Sequence, residues 1–423
     1  MNFARERLRQ QGAGNTEWIE QGLKEALFAD ARSMMEELLN DPQLPVSKDT
    51  KLPGEKIGGC HGKVVLSMFG PVRLQRRHYY YNALQGCGRY PLDQALGLHN
   101  GYTPAVVRLM CRAGARDSYK ESSADLLAYA GIEVSAQQIN RMVQAIGPSM
   151  RTDLENEQIS KNTKAVPRMY VSCDGTGVPM RKAELSQVLG KGPDGRASTR
   201  EVKVGCIFTA HPKAGEEPFR DTDSTSYIAT LRRCGEFGPL LRKEAYRRGM
   251  GRADEIVFIA DGAAWVWEIA RTCFSGAIEI LDYYHAHEYL TAITNLLYGK
   301  DSALGKEQLE LWKQRLFEDK IQTVIEQAQS LGKNLADAKR EELEAKVNYF
   351  ENHKKRMLYG TYKSKGYFYG SGVIEAGCKS VIGKRAKQSG MFWSSKGVED
   401  VLAIRAALCS NRFDQYWDQR NAV

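Results

Sequence analysis

The chain has 423 residues, 42% hydrophobic and 26% charged, and is long enough for two or three folded domains. Lysine and arginine total 60 against 51 acids, and the formal charge of +9 favours a polyanionic partner but also suits an ordinary surface. Nine cysteines without regular spacing indicate reduced thiols in a cytoplasmic protein rather than a disulfide framework. A charged N-terminus and the lack of an apolar run of about 18 residues predict neither a signal peptide nor a membrane span.

The first 57 residues are predicted to form one helix and a linker. Helical periodicity runs from Thr16 to Leu39, and Leu23, Leu27 and Met34 share one face. We expect this helix to dock on another element or to dimerise. The linker follows at 41–59, where prolines and glycines concentrate.

Residues 58–150 are predicted to bind DNA through a β-hairpin and a helix-turn-helix. The hairpin turns at Gly70-Pro71, and alternation places Arg73 and Arg77 on one face as phosphate contacts, a pattern that an exposed basic strand would share. Two helices then flank a break at Gly131, and the unit is expected to end at Gly147-Pro148. The second helix would present four polar side chains to base edges in a major groove: Gln137, Gln138, Asn140 and Arg141. A helical hairpin without a role in DNA binding has the same pattern.

No structural zinc site is predicted in this region. The candidate ligands are Cys60, His61 and Cys87. A single thiol stands where a Cys-x-x-Cys pair would be needed, so zinc would require ligands from distant parts of the chain.

Three acids have local sequences that suit a metal-binding active site. Asp174 and Asp261 each follow a short apolar run and precede glycine, as an acid at the end of a buried strand would. Glu375 follows Gly-Ser-Gly and lies in the first turn of a predicted helix. Carboxylates at strand ends suit Mg²⁺ or Mn²⁺, and two such ions can clamp the attacking and leaving oxygens of a phosphodiester. Each Asp-Gly pair alone is equally typical of a solvated turn.

Five short blocks, taken as a set, give the chain a family resemblance. They are Asp174 to Met180, Ala260 to Trp265, Asp282 to Ala286, Gly370 to Ala376, and Lys387 to Trp393. The set resembles the ISKra-four insertion-sequence transposases and, more distantly, transposases of the Mutator type. The first are DDE transposases, whose catalytic domain is RNase H-like. The resemblance implies that Asp174, Asp261 and Glu375 are the catalytic and metal-binding triad.

The same resemblance implies the reaction and its partners. Two Mg²⁺ or Mn²⁺ ions would support cleavage at the terminal inverted repeats of a mobile element and transfer of the freed 3′-ends to double-stranded target DNA. Paired element ends imply a homodimer or a larger oligomer, in the nucleoid region of a bacterial cytoplasm. Two alternatives remain open, an RNase H-like endonuclease without strand transfer and a domesticated DNA-binding regulator.

The predicted fold is α/β, with an RNase H-like mixed sheet interrupted by an all-helical insertion. The first part of the catalytic domain would span 165–298, the insertion 299–365, and the final helices 366–423. One strand of the sheet, expected between Phe208 and Tyr227, has no clear sequence signal. The insertion could clamp DNA or support dimerisation.

Five further residues are candidates for auxiliary roles. His285 stands where Mutator-type transposases have a Cys-x-x-His element, whose first position here is Asp282. These two could contact phosphate and act as an auxiliary acid, or they could simply cap a helix. Lys379 lies one turn after Glu375 and could meet the same phosphate. Arg385 and Trp393 belong to a basic C-terminal segment and could contact DNA, with core packing as the alternative for Trp393.

Overall fold

The computed structural model describes residues 16–41, 51–82, 86–156, 166–186, 197–211 and 218–421. The chain divides into two compact units, 1–143 and 144–423, and each contains its own sheet. Within the described ranges, no helix is both long and apolar enough to cross a membrane.

The first unit begins with a long helix and a three-stranded antiparallel sheet. Helix α1, Thr16–Leu39, has the predicted bounds, and none of its side chains is buried. The sheet has the order β1 (Glu55–Ser67), β2 (Gly70–Asn82) and β3 (Cys87–Arg89). Strand β1 therefore starts inside the segment expected to be a linker, and the hairpin turns where the sequence predicts.

Strand β2 has one buried and one exposed face over its first half. Val72 and Leu74 are fully buried, whereas Arg73 and Gln75 are exposed, as alternation predicts. The side chain of Asn40, just after α1, donates to Arg73 O at 2.7 Å and accepts from Gln75 N at 2.7 Å. The end of α1 thus pairs an edge of β2 that would otherwise offer free backbone groups.

Four helices complete this part of the chain. They are α2 (Pro91–Ala95), α3 (Pro104–Arg116), α4 (Tyr119–Ala130) and α5 (Ala136–Asn156). Gly131 ends α4 with a left-handed φ of +66°. The predicted stop at Gly147-Pro148 is wrong, because α5 continues through this proline. Ile146 and Met150 are buried on either side of it and carry the apolar face onward.

The second unit is built on a six-stranded mixed sheet. Its strands are β4 (Val166–Pro179), β5 (Thr199–His211), β6 (Phe219–Arg220), β7 (Ser226–Thr230), β8 (Ala253–Ala260) and β9 (Ile278–Leu281). The order across the sheet is β7-β5-β4-β8-β9, with β6 also paired to β5. Strand β5 is antiparallel to β4 and β7, while β8 and β9 follow β4 in parallel. This mixed sheet is consistent with the RNase H-like fold implied by the sequence.

Strand β7 is the strand that the sequence did not locate. Tyr227, the limit of the range in which that strand was expected, lies within β7, and helix α6 begins at Cys234. The strand has five residues, of which Ser226 and Thr230 at its ends are buried. Five residues are too few for the hydrophobic pattern to distinguish a strand from a helix.

Helices cover the rest of the unit. Helices α6 (Cys234–Arg247) and α7 (Ala264–Cys273) connect the last three strands. An all-helical segment follows β9, with α8 (Tyr283–Tyr298), α9 (Ala303–Phe317), α10 (Ile321–Gly332), α11 (Asp337–His353) and α12 (Tyr359–Ser364). Helix α13 (Gly372–Gly377) continues as a π-helical turn (Cys378–Gly383) and is followed by α14 (Lys384–Ala386), α15 (Ser395–Cys409) and α16 (Phe413–Asn421).

A buried cation joins β4 and β8 where both strands begin. Arg168 of β4 is paired in register with Glu255 of β8, and its Nε lies 2.8 Å from Glu255 Oε2. Its Nη1 donates to Gly366 O at 2.6 Å, and its guanidinium lies 3.8 Å from the ring centre of Tyr367. The same group therefore ties the segment before α13 to the sheet.

Candidate metal centre

Two of the predicted acids lie at the same level on neighbouring parallel strands, Asp174 within β4 and Asp261 just after β8. Strands β4 and β8 are paired as far as Ser172 and Ile259, which lie two residues before Asp174 and Asp261. Equal spacing from a paired position puts both acids on one face, and neighbouring strands lie about 4.8 Å apart. Asp174 and Asp261 therefore share one edge of the sheet.

A third acid, Asp282, occupies the corresponding position after β9. Strands β8 and β9 are paired as far as Ala260 and Leu281, one residue before Asp261 and Asp282. Asp282 N also donates to Ala260 O at 2.8 Å, which fixes this register at the strand end. Three adjacent parallel strands thus deliver a carboxylate to the same edge.

The two Asp-Gly pairs differ in conformation. Strand β8 ends at Ala260, but β4 continues past Asp174, so the predicted strand end at that residue is wrong. Gly175 pairs with β5, and a Cβ there would lie 2.3 Å from Glu201 Oε1, so the close side chain accounts for this glycine. Gly262 instead has φ +103°, a left-handed conformation that favours glycine.

Asp174 is half-buried beside another negative charge. Its Oδ1 accepts from Gly175 N at 2.6 Å, and its Oδ2 accepts from the Cys378 thiol at 3.4 Å. Burial raises the pKa of Asp174, and the nearby charge of Asp261 adds to the rise. The two carboxylates therefore repel each other, and a cation between them would relieve that repulsion.

The loop that carries Asp261 is held by the helical segment. Asp261 Oδ1 accepts from Ala263 N at 3.0 Å, while its backbone carbonyl accepts from the Tyr349 hydroxyl at 2.6 Å. Tyr349 belongs to α11 and stacks on Tyr289 of α8, with ring centres 3.8 Å apart. Helices inserted after β9 thus reach back to the end of β8.

Asp282 is fully buried and begins α8. Its Oδ1 accepts from Tyr284 N at 2.6 Å, so the predicted capping role is present. Burial raises the pKa of Asp282, but interactions with His285 and Ser371 outweigh it, and the pKa falls overall. His285 Nδ1 lies 3.7 Å from Asp282 Oδ2, and this carboxylate raises the pKa of His285 to about 9.

Glu375 approaches the same carboxylates from α13. Possible ligand atoms of Asp282, His285 and Glu375 all lie within 4.8 Å of one another, a set that could hold a metal ion. In the described part of the chain, this is the group of three such residues that meets that limit, so the predicted triad does not form an equally tight cluster by itself. The structure therefore groups Glu375 with Asp282 and His285, two of the residues that the sequence offered as auxiliary candidates.

The remaining candidate residues near α13 differ in the exposure of their side chains. Lys379 is exposed on the π-helical turn. Arg385 is fully buried and Trp393 is 7% exposed, with the guanidinium 4.8 Å from the ring centre. Trp393 Nε1 also donates to Ala386 O at 3.0 Å. Arg385 and Trp393 are packed together, and the core alternative given for Trp393 is the arrangement observed.

The predicted DNA contacts of the first unit also differ from one another. Gln137 and Arg141 are exposed one turn apart on α5, and Asn140 is half-buried. Gln138 accepts from Ser135 N at 2.7 Å and donates its backbone N–H to Ser135 Oγ, so its side chain serves a capping box. The exposed Arg73 lies on β2, as does Arg77, whose side chain is outside the described residues.

Sequence reasoning gave no role at the site to three residues that contact these acids, Tyr349, Ser371 and Cys378. Tyr349 lies in a helical segment, and nothing in its local sequence indicates a contact with a strand end 88 residues away. Cys378 had a signal, because it follows Glu375 by three residues and i, i+3 side chains are neighbours on a helix.

Comparisons with known proteins add little. No family model matches the chain, and no curated protein matches it either. Among solved structures, the Drosophila P element transposase strand transfer complex is similar at 10% sequence identity, covering 78% of this chain and 84% of that one. Its TM-score of 0.27 is too low to support an argument about fold or function.

Proposed function

We propose that the chain is a DDE transposase of a bacterial insertion sequence, which cleaves the ends of a mobile element and joins them to target DNA. The observation that carries this proposal is the shared level of Asp174 and Asp261 on neighbouring parallel strands. The sheet order β7-β5-β4-β8-β9, with only β5 antiparallel, supports an RNase H-like catalytic unit. The helical segment between β9 and Glu375 is then its insertion.

The side chains at this edge suit Mg²⁺ or Mn²⁺. Asp174, Asp261 and Glu375 offer oxygen ligands alone, and the repulsion at Asp174 favours added positive charge. Asp174 and Asp261 would hold two ions, with Glu375 completing the second position. Such ions, when bound, lower the pKa of a water or a 3′-hydroxyl and stabilise the leaving oxygen of a phosphodiester.

Other residues would orient the DNA. In this proposal His285 contacts the phosphate next to the carboxylates, Asp282 holds His285 in place, and the exposed Lys379 meets the DNA backbone. Gln137 and Arg141 would contact base edges and Arg73 a phosphate, since their side chains are exposed. The buried Arg385 and Trp393 have no part in the DNA surface. Two element ends would be held by a homodimer or a larger oligomer.

Substitution of Asp261 tests the proposal directly. Asp261→Asn should reduce Mg²⁺-dependent cleavage of element-end DNA by at least about 100-fold, because even residues that only support a metal ligand typically contribute 10- to 100-fold. DNA binding should persist, since only a ligand charge is removed. The matched control is Asp254→Asn, which changes an exposed acid at the other end of β8 and should cleave like the parent. Equal cleavage by Asp261→Asn would refute the assignment.

A strand-transfer assay separates the proposed enzyme from the alternatives. A pre-cut element end with a free 3′-hydroxyl should be joined to plasmid DNA by the parent chain and not by Asp261→Asn. Cleavage without joining would instead identify an endonuclease. Binding without either reaction would identify a DNA-binding regulator.

A further inference from the structure

Besides Glu375, one residue at each end of helix α13 contacts the acids at the edge of the sheet. Ser371 lies four residues before Glu375 and Cys378 three residues after it, so both can share its face of the helix. Ser371 is 5% exposed and Cys378 is half-buried. Each contacts a carboxylate that follows a different strand.

Ser371 connects Glu375 to Asp282. Its backbone N donates to Asp282 Oδ2 at 3.2 Å, and its hydroxyl donates to the same oxygen. The hydroxyl also lies 3.2 Å from Glu375 Oε1. The side chain makes no capping bond to its own helix, although it stands at the N-cap position. The hydroxyl of Ser371 therefore contacts Asp282 and Glu375 instead of capping the helix.

Cys378 makes the corresponding contact with Asp174. Its thiol donates to Asp174 Oδ2 at 3.4 Å, on the opposite side of the acid row from Asp282. An ordinary thiol is protonated at neutral pH and can act as this donor. A carboxylate oxygen that accepts one hydrogen bond keeps a second lone pair for a cation.

Close packing fixes the position of the helix between these contacts. A Cβ at Gly370 would lie 2.7 Å from Tyr284 Cε2, and one at Gly377 would lie 2.6 Å from Tyr227 Cε1. Both distances are far below van der Waals contact, so a side chain at either position would require the backbone or the facing tyrosine ring to move.

We propose that Ser371 and Cys378 are positioning residues of the metal centre. Cys378 would orient the ligand Asp174 on β4, and Ser371 would orient the ligand Glu375 while linking it to Asp282. Hydrogen bonds to ligating carboxylates orient them and raise metal affinity. This inference rests on the proposed function, and it gives α13 the task of setting the spacing between the acids.

The test is Mn²⁺ binding by the full chain, followed by electron paramagnetic resonance in the absence of DNA. Ser371→Ala and Cys378→Ala should each raise the Mn²⁺ dissociation constant about 10-fold. Cys378→Ser keeps a donor and should stay within about 3-fold of the parent. The control is Cys273→Ala, which removes a half-buried thiol of α7 and should bind like the parent.

A purely structural role would give a different result. If the two residues only stabilise the fold, circular dichroism would show loss of folded protein while the remaining fraction binds Mn²⁺ with parental affinity. Positioning instead requires weaker binding by folded protein, and a higher Mg²⁺ concentration for half-maximal cleavage. Should Cys378→Ala fail to fold, Cys378→Val removes the donor while filling the space.

The outcomes separate this inference from the proposed function. Parental affinity in both alanine variants, with Mn²⁺ bound by the parent chain, overturns the positioning role and leaves the proposed enzyme intact. Failure of the parent chain itself to bind Mn²⁺ overturns the proposed function, and the inference with it.

Discussion

The two ends of the β4–β8 strand pair are built on opposite principles. At the first end, Arg168 and Glu255 are in register and form an ion pair that also includes the carbonyl of Gly366. At the other end, Asp174 and Asp261 bring like charges together, and burial and the charge of Asp261 both raise the pKa of Asp174. One end contributes stability, and the other holds repulsion that a bound cation would relieve. The ion pair at the start of β4 and β8 therefore helps to offset the repulsion between the acids at the other end of the same strands.

Breaking the stable end should have the largest effect. Arg168→Met removes a buried cation and leaves Glu255 and the Gly366 carbonyl without this donor, which should lower the free energy of unfolding by about 3 kcal/mol. Urea unfolding measures the change. The control is Arg271→Met, because Arg271 pairs with Glu268 on the surface and its replacement should leave the unfolding midpoint close to that of the parent. Equal effects of the two substitutions would mean that the ion pair does not anchor the sheet.

The two Asp-Gly pairs should respond differently to alanine. Gly262→Ala forces a side chain into a left-handed φ and against Tyr349 Oη, at 2.6 Å, and should lower the free energy of unfolding by about 2 kcal/mol. Gly175→Ala meets the end of the Glu201 side chain, which can move aside, so it should cost less than about 1 kcal/mol. The same urea experiment compares them, and a larger loss for Gly175→Ala would contradict the backbone assignment.

Removing the repulsion between Asp174 and Asp261 should increase the stability of the protein and abolish cleavage. Asp174→Asn takes away a partly buried charge beside Asp261, so the metal-free protein should gain up to about 1 kcal/mol of stability while cleavage is lost. Thermal unfolding with and without Mg²⁺ provides a second measurement. Mg²⁺ should raise the midpoint of the parent and leave that of the variant unchanged, because a ligand that binds the folded state stabilises it. A destabilised variant would argue that Asp174 has a structural role.

The smallest expected effect is the pH dependence of stability that comes from Glu255, the acid paired with Arg168. Burial raises the pKa of Glu255, but hydrogen bonds from Tyr367 and Arg168 outweigh it, so the folded pKa lies below the ordinary value of 4.5. Glu255 therefore contributes stability that is complete above pH 4.5 and is lost as pH falls through the folded pKa. The stability difference between the parent and Glu255→Gln should shrink over that acidic range and stay constant from pH 6 to 8. A difference that does not change with acid would show that the carboxylate charge is not involved.

The sequence predicted those strands and helices whose hydrophobic pattern can be recognised within one short stretch of the chain. Apolar runs before Asp174 and Asp261 indicated buried strands, and both strands are present. The periodicity of Thr16–Leu39 predicted α1 with its observed bounds. The Asp-Gly pattern, however, does not distinguish a strand end from a strand that needs glycine for a side chain on its neighbour, as at Gly175. That distinction depends on how β5 pairs with β4, which local sequence does not specify.

The candidate site was predictable only in part, because it depends on contacts between elements that are distant in sequence. Register between strands sets Asp174, Asp261 and Asp282 at one level, but the sequence contains no sign of register for parallel strands joined by helices. The contact of Tyr349 with Asp261 O depends on how α11 packs, and so does its stacking on Tyr289. Arg385 shows the converse, since a basic residue in a basic segment suggested DNA contact and is fully buried against Trp393.

The late position of α13 in the chain has a consequence for synthesis. Strands β4, β8 and β9 leave the ribosome before the all-helical segment, and Ser371, Glu375 and Cys378 follow only after that segment is complete. A nascent or truncated chain that stops within α8–α12 therefore holds the strand-end acids without the helix that spaces them. If the centre cleaves DNA, a chain truncated before Ser371 lacks Glu375 and should not cleave it.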